Sequence, residues 1–167
     1  IVGAAGRVIG VDLHPGLLDL ARRHRNGLAK RIGWSNVEFH RARIQDLALS
    51  LDRVDEWLMR NPVRGSDDLA ACEAFQSRLR TDEPMIEDES VDVVISNCVL
   101  NLVREDDRTS MFGEIFRVLK RGGRVAISDI VSDEAVPESQ KRDPQLWTGC
   151  IAGAFQESAF LEAFEAA

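Results

Sequence analysis

Polar side chains stand at the ends of three apolar runs, and their types suit them to bind a ligand. The runs cover residues 7–12, 91–98 and 125–130, and each is too short for a helix. They predict strands, and the two later runs predict buried strands. The polar side chains at their ends are Asp12, Ser96, Asn97, Cys98, Ser128 and Asp129. Because ligands of open α/β sheets bind at the carboxyl ends of the strands, these residues predict a binding site.

Asp12 has two interpretations, one functional and one structural. An acid at a strand end binds ribose hydroxyls with its two oxygens, which serves a dinucleotide and S-adenosylmethionine equally well. The same acid also stabilises the N-terminus of the helix that His14 and Pro15 begin, by about 0.3 to 1 kcal/mol. Gly3 and Gly6 precede a strand, whereas a phosphate-binding glycine loop follows one, so they predict no such loop.

The three cysteines are too few and too scattered for a disulfide framework, which predicts free thiols and a reducing, cytoplasmic location. Cys72 lies on an apolar helical face and is predicted to be buried. Cys98 follows a strand, and Cys150 lies in the small-residue run 149–153. From the residues alone, each of these two thiols could either pack or bind a ligand.

Helical patterns between the strands predict a doubly wound, mostly parallel α/β sheet. A helix that begins at Pro15 and one at 107–120 have apolar faces, and Gly122 with Gly123 is predicted to end the second helix in a left-handed conformation. Residues 37–44 predict another strand, and residues 144–155 and 157–166 further helices. The predicted inward face of the first helix consists of Leu17, Ala21, His24, Leu28 and Ile32.

Residues 48–85 have a different character and predict a helical insertion within a single domain, residues 1–167. Two apolar stripes at helical spacing flank a loop at residues 61–68. The first stripe contains Leu51, Val54, Trp57 and Leu58, and the second Leu69, Cys72, Phe75 and Leu79.

Composition narrows the class of partner. The chain has 167 residues, of which 44% are hydrophobic, enough for one domain with a substantial core. A net charge of -7 argues against nucleic-acid and anionic-membrane surfaces, which need basic patches. No run approaches the roughly 20 apolar residues of a membrane span. A small molecule is therefore the predicted partner.

Four segments of the sequence resemble the successive motifs of class I S-adenosylmethionine-dependent methyltransferases: residues 7–12, 36–46, 88–102 and 114–129. Within that superfamily, residues 96–102 together with 143–154 resemble the arsenite methyltransferases. The resemblance covers most of the chain outside the insertion. The sequence lacks the glycine-rich cofactor loop, the first strand and the family's other arsenic-binding cysteines. The resemblance therefore predicts a partial sheet in a chain truncated at both ends.

The resemblance implies S-adenosylmethionine as the cofactor. Asp12 would then hold the ribose, and the adenine would lie beside Leu13, Arg43 and Ile44. The backbone of Asn97 and Cys98 would face the methionine part of the cofactor.

The resemblance further implies that Cys150 binds trivalent arsenic as the methyl acceptor. Arsenic(III) is soft and prefers thiolates, and its lone pair can attack the sulfonium methyl, so catalysis would be mostly positioning. A thiol reductant such as glutathione or thioredoxin is then an expected partner.

Other classes stay open. A methyltransferase for a small organic acceptor, such as a quinone precursor, would keep the cofactor residues and would not need Cys150. A non-catalytic structural fragment would need neither. A nicotinamide-dependent oxidoreductase is disfavoured because Cys150 and the Asn97–Cys98 region have no evident role in it.

Overall fold

The computed structural model describes residues 2–166 and divides the chain into two compact units, residues 1–86 and 87–167. The first unit is a parallel strand pair joined by a helix and followed by a helical hairpin. Its elements are β1 (Val8–Asp12), α1 (Pro15–Ile32), β2 (Val37–Arg41), α2 (Leu51–Arg60) and α3 (Ser66–Asp82). Strands β1 and β2 pair with Val8 opposite Val37 and Asp12 opposite Arg41. The strand predicted at 37–44 ends earlier, at Arg41, because a turn follows at residues 43–46.

Helix α1 begins where the sequence predicts. His14 is its N-cap, and the ring Nδ1 accepts a hydrogen bond from the backbone N of Leu17 at 3.3 Å. Pro15 fits the first turn because it has no N–H to satisfy there. Gly33, with φ of 88°, ends the helix in the left-handed conformation.

The predicted inward face of α1 is wrong by one position. Leu18 is 2% exposed, whereas Leu17 is 56% exposed and Leu28 is also exposed. On the side of Leu18, Arg22 Nη2 donates to the carbonyl of Phe39 in β2 at 3.0 Å. The face of α1 that contains Leu18 and Arg22 therefore lies towards the strands.

The two apolar stripes of residues 48–85 lie on helices α2 and α3, as predicted, except that Leu69 is 50% exposed. Leu49, Val54 and Leu79 form a buried core, against which Leu51, Leu58 and Phe75 pack. Trp57 stacks on Phe75 with ring centroids 5.3 Å apart. Cys72 is buried, as predicted. That this hairpin is an insertion relative to other proteins stays a prediction.

The second unit contains two parallel strand pairs, β3 with β4 and β5 with β6. Its elements are β3 (Val91–Asn97), α4 (Arg108–Val118), β4 (Leu119–Ser128), β5 (Val131–Ser132), α5 (Glu138–Lys141), α6 (Pro144–Thr148), β6 (Phe155–Gln156) and α7 (Glu157–Glu165). Two short 3-10 turns, Leu100–Leu102 and Glu105–Asp107, connect β3 to α4. Helix α4 buries Met111, Ile115 and Val118, as its spacing predicts.

The glycine pair does not end α4. The helix ends at Val118, and Leu119 is already extended. Gly122, with φ of 79°, lies inside β4, where the register with β3 shifts between Val91 and Val93. A left-handed glycine therefore allows a bulge here, a use that its sequence context does not distinguish from a helix stop.

Strand β3 is not buried on both faces. Val93 is 48% exposed and Ile95 is 71% exposed, while Val94 and Ser96 between and beyond them are half-buried. Alternate residues of a strand point to opposite faces, so only one face of β3 is covered.

The helix predicted at residues 144–155 is also shorter. Helix α6 ends at Thr148, and Cys150 adopts a left-handed conformation with φ of 61°. The small residues that follow form a loop rather than a helical packing surface. Beyond it, α7 packs Phe160 and Phe164 against each other with ring centroids 5.2 Å apart. None of the helices within residues 2–166 has the length and apolar character needed to cross a membrane.

Candidate functional site

Four of the predicted cofactor residues of the first unit lie at one edge of the β1/β2 pair. The two strands are parallel, and the N of Ala42 donates to the carbonyl of Asp12 at 3.2 Å, so both strands end together. Asp12 and Leu13 follow from β1, and Arg43 and Ile44 follow from β2. The sequence therefore identified residues that the fold does bring to the same edge, although their roles stay predictions.

This edge fits an adenosine group. Asp12 is half-buried, and its Oδ1 accepts a hydrogen bond from the N of His14 at 2.7 Å. That bond is the one expected from the structural interpretation of Asp12. It leaves the second carboxylate oxygen able to accept from a ribose hydroxyl. Leu13, beside it, is 52% exposed, which gives an apolar surface suited to a planar base.

The Cys150 thiol contacts the backbone of Cys98 in the second unit. Cys98 follows β3, and its N donates to the carbonyl of Ser128 at 2.8 Å, which extends the parallel ladder by one residue. Cys150, 52 residues later, donates from Sγ to the carbonyl oxygen of Cys98 at 3.2 Å. The Cys98 side chain is exposed and that of Cys150 is buried. Both residues have positive φ, 53° and 61°.

The surroundings of Cys150 favour the protonated thiol. Burial raises its pKa, and the negative charge of Asp129 and the neighbouring Cys98 raise it further. Asp129 is fixed beside it, because its Oδ2 accepts from the N of Leu100 at 2.9 Å and its Oδ1 from the N of Ile130 at 2.9 Å. Cys150 is therefore a thiol at neutral pH, and its binding of arsenic stays a prediction.

We expect the three thiols to react in a fixed order with a maleimide under native conditions. Cys98 should react first, Cys150 about tenfold or more slowly, and buried Cys72 only on unfolding. Because the pKa of Cys150 is raised, its thiolate fraction at neutral pH is small, and its labelling should accelerate with pH further into the alkaline range than that of an ordinary thiol. Peptide mass spectrometry over time measures all three rates. Labelling of Cys72 as fast as that of Cys98 would contradict the burial of the hairpin.

Three residues that support this thiol pair were missed by sequence reasoning. Asn101 is fully buried, and Arg108 donates from Nη2 to the carbonyl of Gly153 at 2.6 Å. A Cβ on Gly153 would lie 1.9 Å from the carbonyl oxygen of Asn101. One signal was present: an amide between Leu100 and Leu102, inside an apolar stretch, is typical of a buried polar group that bonds to backbone. Among residues 2–166, no group of three or more His, Cys, Asp or Glu side chains is arranged to hold a metal ion.

Comparison with known proteins identifies the family to which the chain belongs. Residues 74–167 match the model of a methyltransferase domain. Arsenite methyltransferases from Halobacterium salinarum and Aquipseudomonas alcaligenes are 37% and 31% identical over 92% and 96% of the chain. The chain spans 28% and 36% of the lengths of these two relatives.

Solved structures agree with the predicted fold. An arsenic(III) S-adenosylmethionine methyltransferase from Chlamydomonas reinhardtii superposes with a TM-score of 0.70 and 30% identity, covering 99% of this chain and 44% of its own. A Pyrococcus horikoshii protein, 16% identical, shares the fold with a TM-score of 0.54. The α/β fold with parallel strands and the resemblance to class I methyltransferases are thereby confirmed. The chain belongs to the methyltransferase domain family.

Proposed function

We propose that this protein transfers a methyl group from S-adenosylmethionine to arsenic(III) bound by the thiols of Cys98 and Cys150. The contact between Cys150 Sγ and the carbonyl of Cys98, at 3.2 Å, carries this proposal. It brings the Cys150 sulfur to the backbone of Cys98 at the end of β3, where ligands of α/β sheets bind and where the exposed Cys98 thiol is a second soft donor. The arsenite methyltransferases among its relatives support the choice of acceptor.

Thiol exchange explains how a protonated Cys150 serves this site. Arsenite, As(OH)₃, exchanges two hydroxyls for two cysteine sulfurs, and each hydroxyl leaves as water with the proton of one thiol. A thiol whose pKa is raised holds that proton until the exchange. Because neither a protonated thiol nor a sulfur bound to arsenic carries a full negative charge, the exchange avoids placing a thiolate beside Asp129.

The two cysteines would hold the metalloid still for an in-line reaction. When bound, S-adenosylmethionine supplies an electrophilic methyl group, so the arsenic lone pair forms the As–C bond as the C–S bond breaks and its electrons stay on sulfur. The chain contributes position, since Asp12 would orient the ribose and the thiols would orient arsenic. Arsenic is formally oxidised by two electrons in this transfer, and a thiol reductant would return it to the trivalent state.

Methyl transfer with Asp12→Asn tests the proposal. The wild-type protein should transfer radiolabelled methyl from S-adenosylmethionine to arsenite in the presence of a thiol reductant. Asparagine keeps the oxygen that accepts from His14, so the start of α1 stays intact, but it loses the charge that strengthens hydrogen bonds from the ribose. We expect S-adenosylmethionine to bind more weakly by about 1.5 to 3 kcal/mol, measured by calorimetry.

Asp19→Asn is the matched control, because Asp19 is an exposed acid on α1, the helix that follows Asp12. It should leave the affinity for S-adenosylmethionine unchanged. An unaltered affinity in Asp12→Asn would remove Asp12 from the cofactor site. Label found only on an organic acceptor, and never on arsenic, would contradict the arsenic assignment and leave a methyltransferase for organic substrates.

A further inference from the structure

Two side chains connect the loop that contains Cys150 to the segment after β3. Both of them donate hydrogen bonds to backbone carbonyls of the loop. We infer that Asn101 and Arg108 are positioning residues that hold the Cys150 loop, residues 149–153, against Cys98. The inference deepens the proposed arsenic site and rests on it for its meaning in catalysis. The hydrogen bonds on which it depends lie entirely within the second unit.

Asn101 joins three segments of the chain at one point. Its Nδ2 donates to the carbonyl of Cys150 at 3.1 Å and to the carbonyl of Ile130 at 2.7 Å. Its backbone N donates to Asp129 Oδ2 at 3.3 Å. The 3-10 turn after β3, the end of β4 and the Cys150 loop are therefore held in register by one amide.

The backbone of the loop adopts an unfavourable conformation at Cys150. Cys150 has a side chain, yet its φ is 61°, in the left-handed region that costs a non-glycine residue about 1 to 2 kcal/mol. That conformation turns the carbonyl of Cys150 towards Asn101 while its Sγ reaches the carbonyl of Cys98. Local bonds also hold this turn, because Cys150 N donates to the carbonyl of Trp147 at 3.0 Å and Ile151 N donates to that of Leu146 at 2.9 Å. The bond from Asn101 connects the turn to the segment after β3.

Burying the side-chain amide of Asn101 costs free energy. This cost indicates that the hydrogen bonds donated by its Nδ2 have a structural role. Asn101 is 0% exposed, and its Oδ1 has no hydrogen-bond partner among the described residues. A buried acceptor left unpaired costs about 1 to 3 kcal/mol, whereas a leucine of similar size would avoid that cost. Simple filling of the core would favour the leucine. The two hydrogen bonds of Nδ2 are what distinguishes the amide.

Arg108 ties the other end of the same loop. Its Nη2 donates to the carbonyl of Gly153 at 2.6 Å, and its Nε donates to the carbonyl of Val103 at 3.2 Å. The guanidinium carbon lies 3.8 Å from the centre of the Phe155 ring. Because the guanidinium is rigid and planar, it fixes the distance between the turn after β3 and the end of the loop.

Thiol reactivity in Asn101→Leu tests this inference without requiring turnover. We expect the rate at which a maleimide labels Cys150 to rise at least about tenfold, because the loop opens more often once its tie is lost. Affinity for phenylarsine oxide, a trivalent arsenical that bridges two thiols, should fall by about tenfold or more, because the sulfurs are no longer held together. Met111→Ala is the matched control, since it removes a fully buried side chain of α4 in the same unit. At a comparable loss of melting temperature, it should change neither rate nor affinity.

Equal labelling of Cys150 in Asn101→Leu and Met111→Ala would overturn the inference, since loss of stability alone would then explain the effect. If Asn101→Leu does not fold, Arg108→Met provides the same test, because methionine still covers Phe155 but donates nothing to Gly153. Faster labelling of Cys150 in Arg108→Met than in Met111→Ala supports the tie, and equal labelling refutes it. Failure of the wild-type protein to bind phenylarsine oxide would contradict the proposed arsenic site instead, while the labelling rates would still decide the positioning role.

Discussion

Cys150→Ser should reduce arsenite methylation by about 100-fold or more while leaving the affinity for S-adenosylmethionine nearly unchanged. Serine keeps the size of the side chain and its hydrogen bond to the carbonyl of Cys98, but it loses the soft donor that arsenic prefers. A single remaining thiol, that of Cys98, would hold the metalloid without fixing its orientation. Radiolabelled methyl transfer to arsenite, with calorimetry for the cofactor, separates the two effects.

Cysteine controls distinguish a ligand from a packed side chain. Cys98→Ser should lower methylation in the same way, because the site needs both sulfurs. Cys72→Ser should not, because Cys72 lies in the helical hairpin of the first unit, where its sulfur accepts from Gln76 Nε2 at 3.4 Å. Wild-type rates in Cys150→Ser would sink the arsenic assignment, and a lowered melting temperature with activity retained in the cold would show that Cys150 only packs.

Local chemistry was sufficient to predict which residues share an edge of the β1/β2 pair. A polar residue directly after a short apolar run marks the carboxyl end of a strand, and parallel pairing then fixes which residues share an edge. The structure accordingly brings Asp12 and Arg43 to one edge. Helix α1 was predictable at its start for the same reason, since the His14 cap and Pro15 act within one turn.

Tertiary contacts account for what the sequence did not predict. Periodicity places the inward face of α1 only to within one residue, and the residues that face β2 in the folded chain include Leu18 and Arg22. Helix α6 ends in a local turn, in which Cys150 N donates to the carbonyl of Trp147 at 3.0 Å and Ile151 N donates to that of Leu146 at 2.9 Å. The sequence does not indicate a left-handed residue there, since such residues are usually glycine or asparagine. The proximity of Cys98 and Cys150 is likewise a property of the folded loop.

Gly153→Ala should destabilise the second unit by about 3 kcal/mol, the upper part of the usual range for overpacking a core. The new Cβ would lie 1.9 Å from the carbonyl oxygen of Asn101 and 3.0 Å from its carbonyl carbon. Both atoms belong to the backbone, so no side-chain rotation relieves the overlap. The loop must withdraw from the turn after β3. Chemical denaturation, followed by circular dichroism, measures the loss in the free energy of unfolding.

Gly113→Ala adds the same methyl group where nothing lies within 4 Å, on the exposed face of α4. It should stabilise the protein by about 0.5 to 1 kcal/mol, because alanine is the better helix former. Opposite changes in the free energy of unfolding for the two substitutions would identify the close approach of Gly153 to Asn101 as the cause of the destabilisation. Gly153→Ala protein that still folds should label faster at Cys150 and bind phenylarsine oxide more weakly, because a withdrawn loop carries its sulfur away from Cys98. Full stability in Gly153→Ala would show that the loop does not pack against the turn after β3, and the paired thiols would then lose their structural basis.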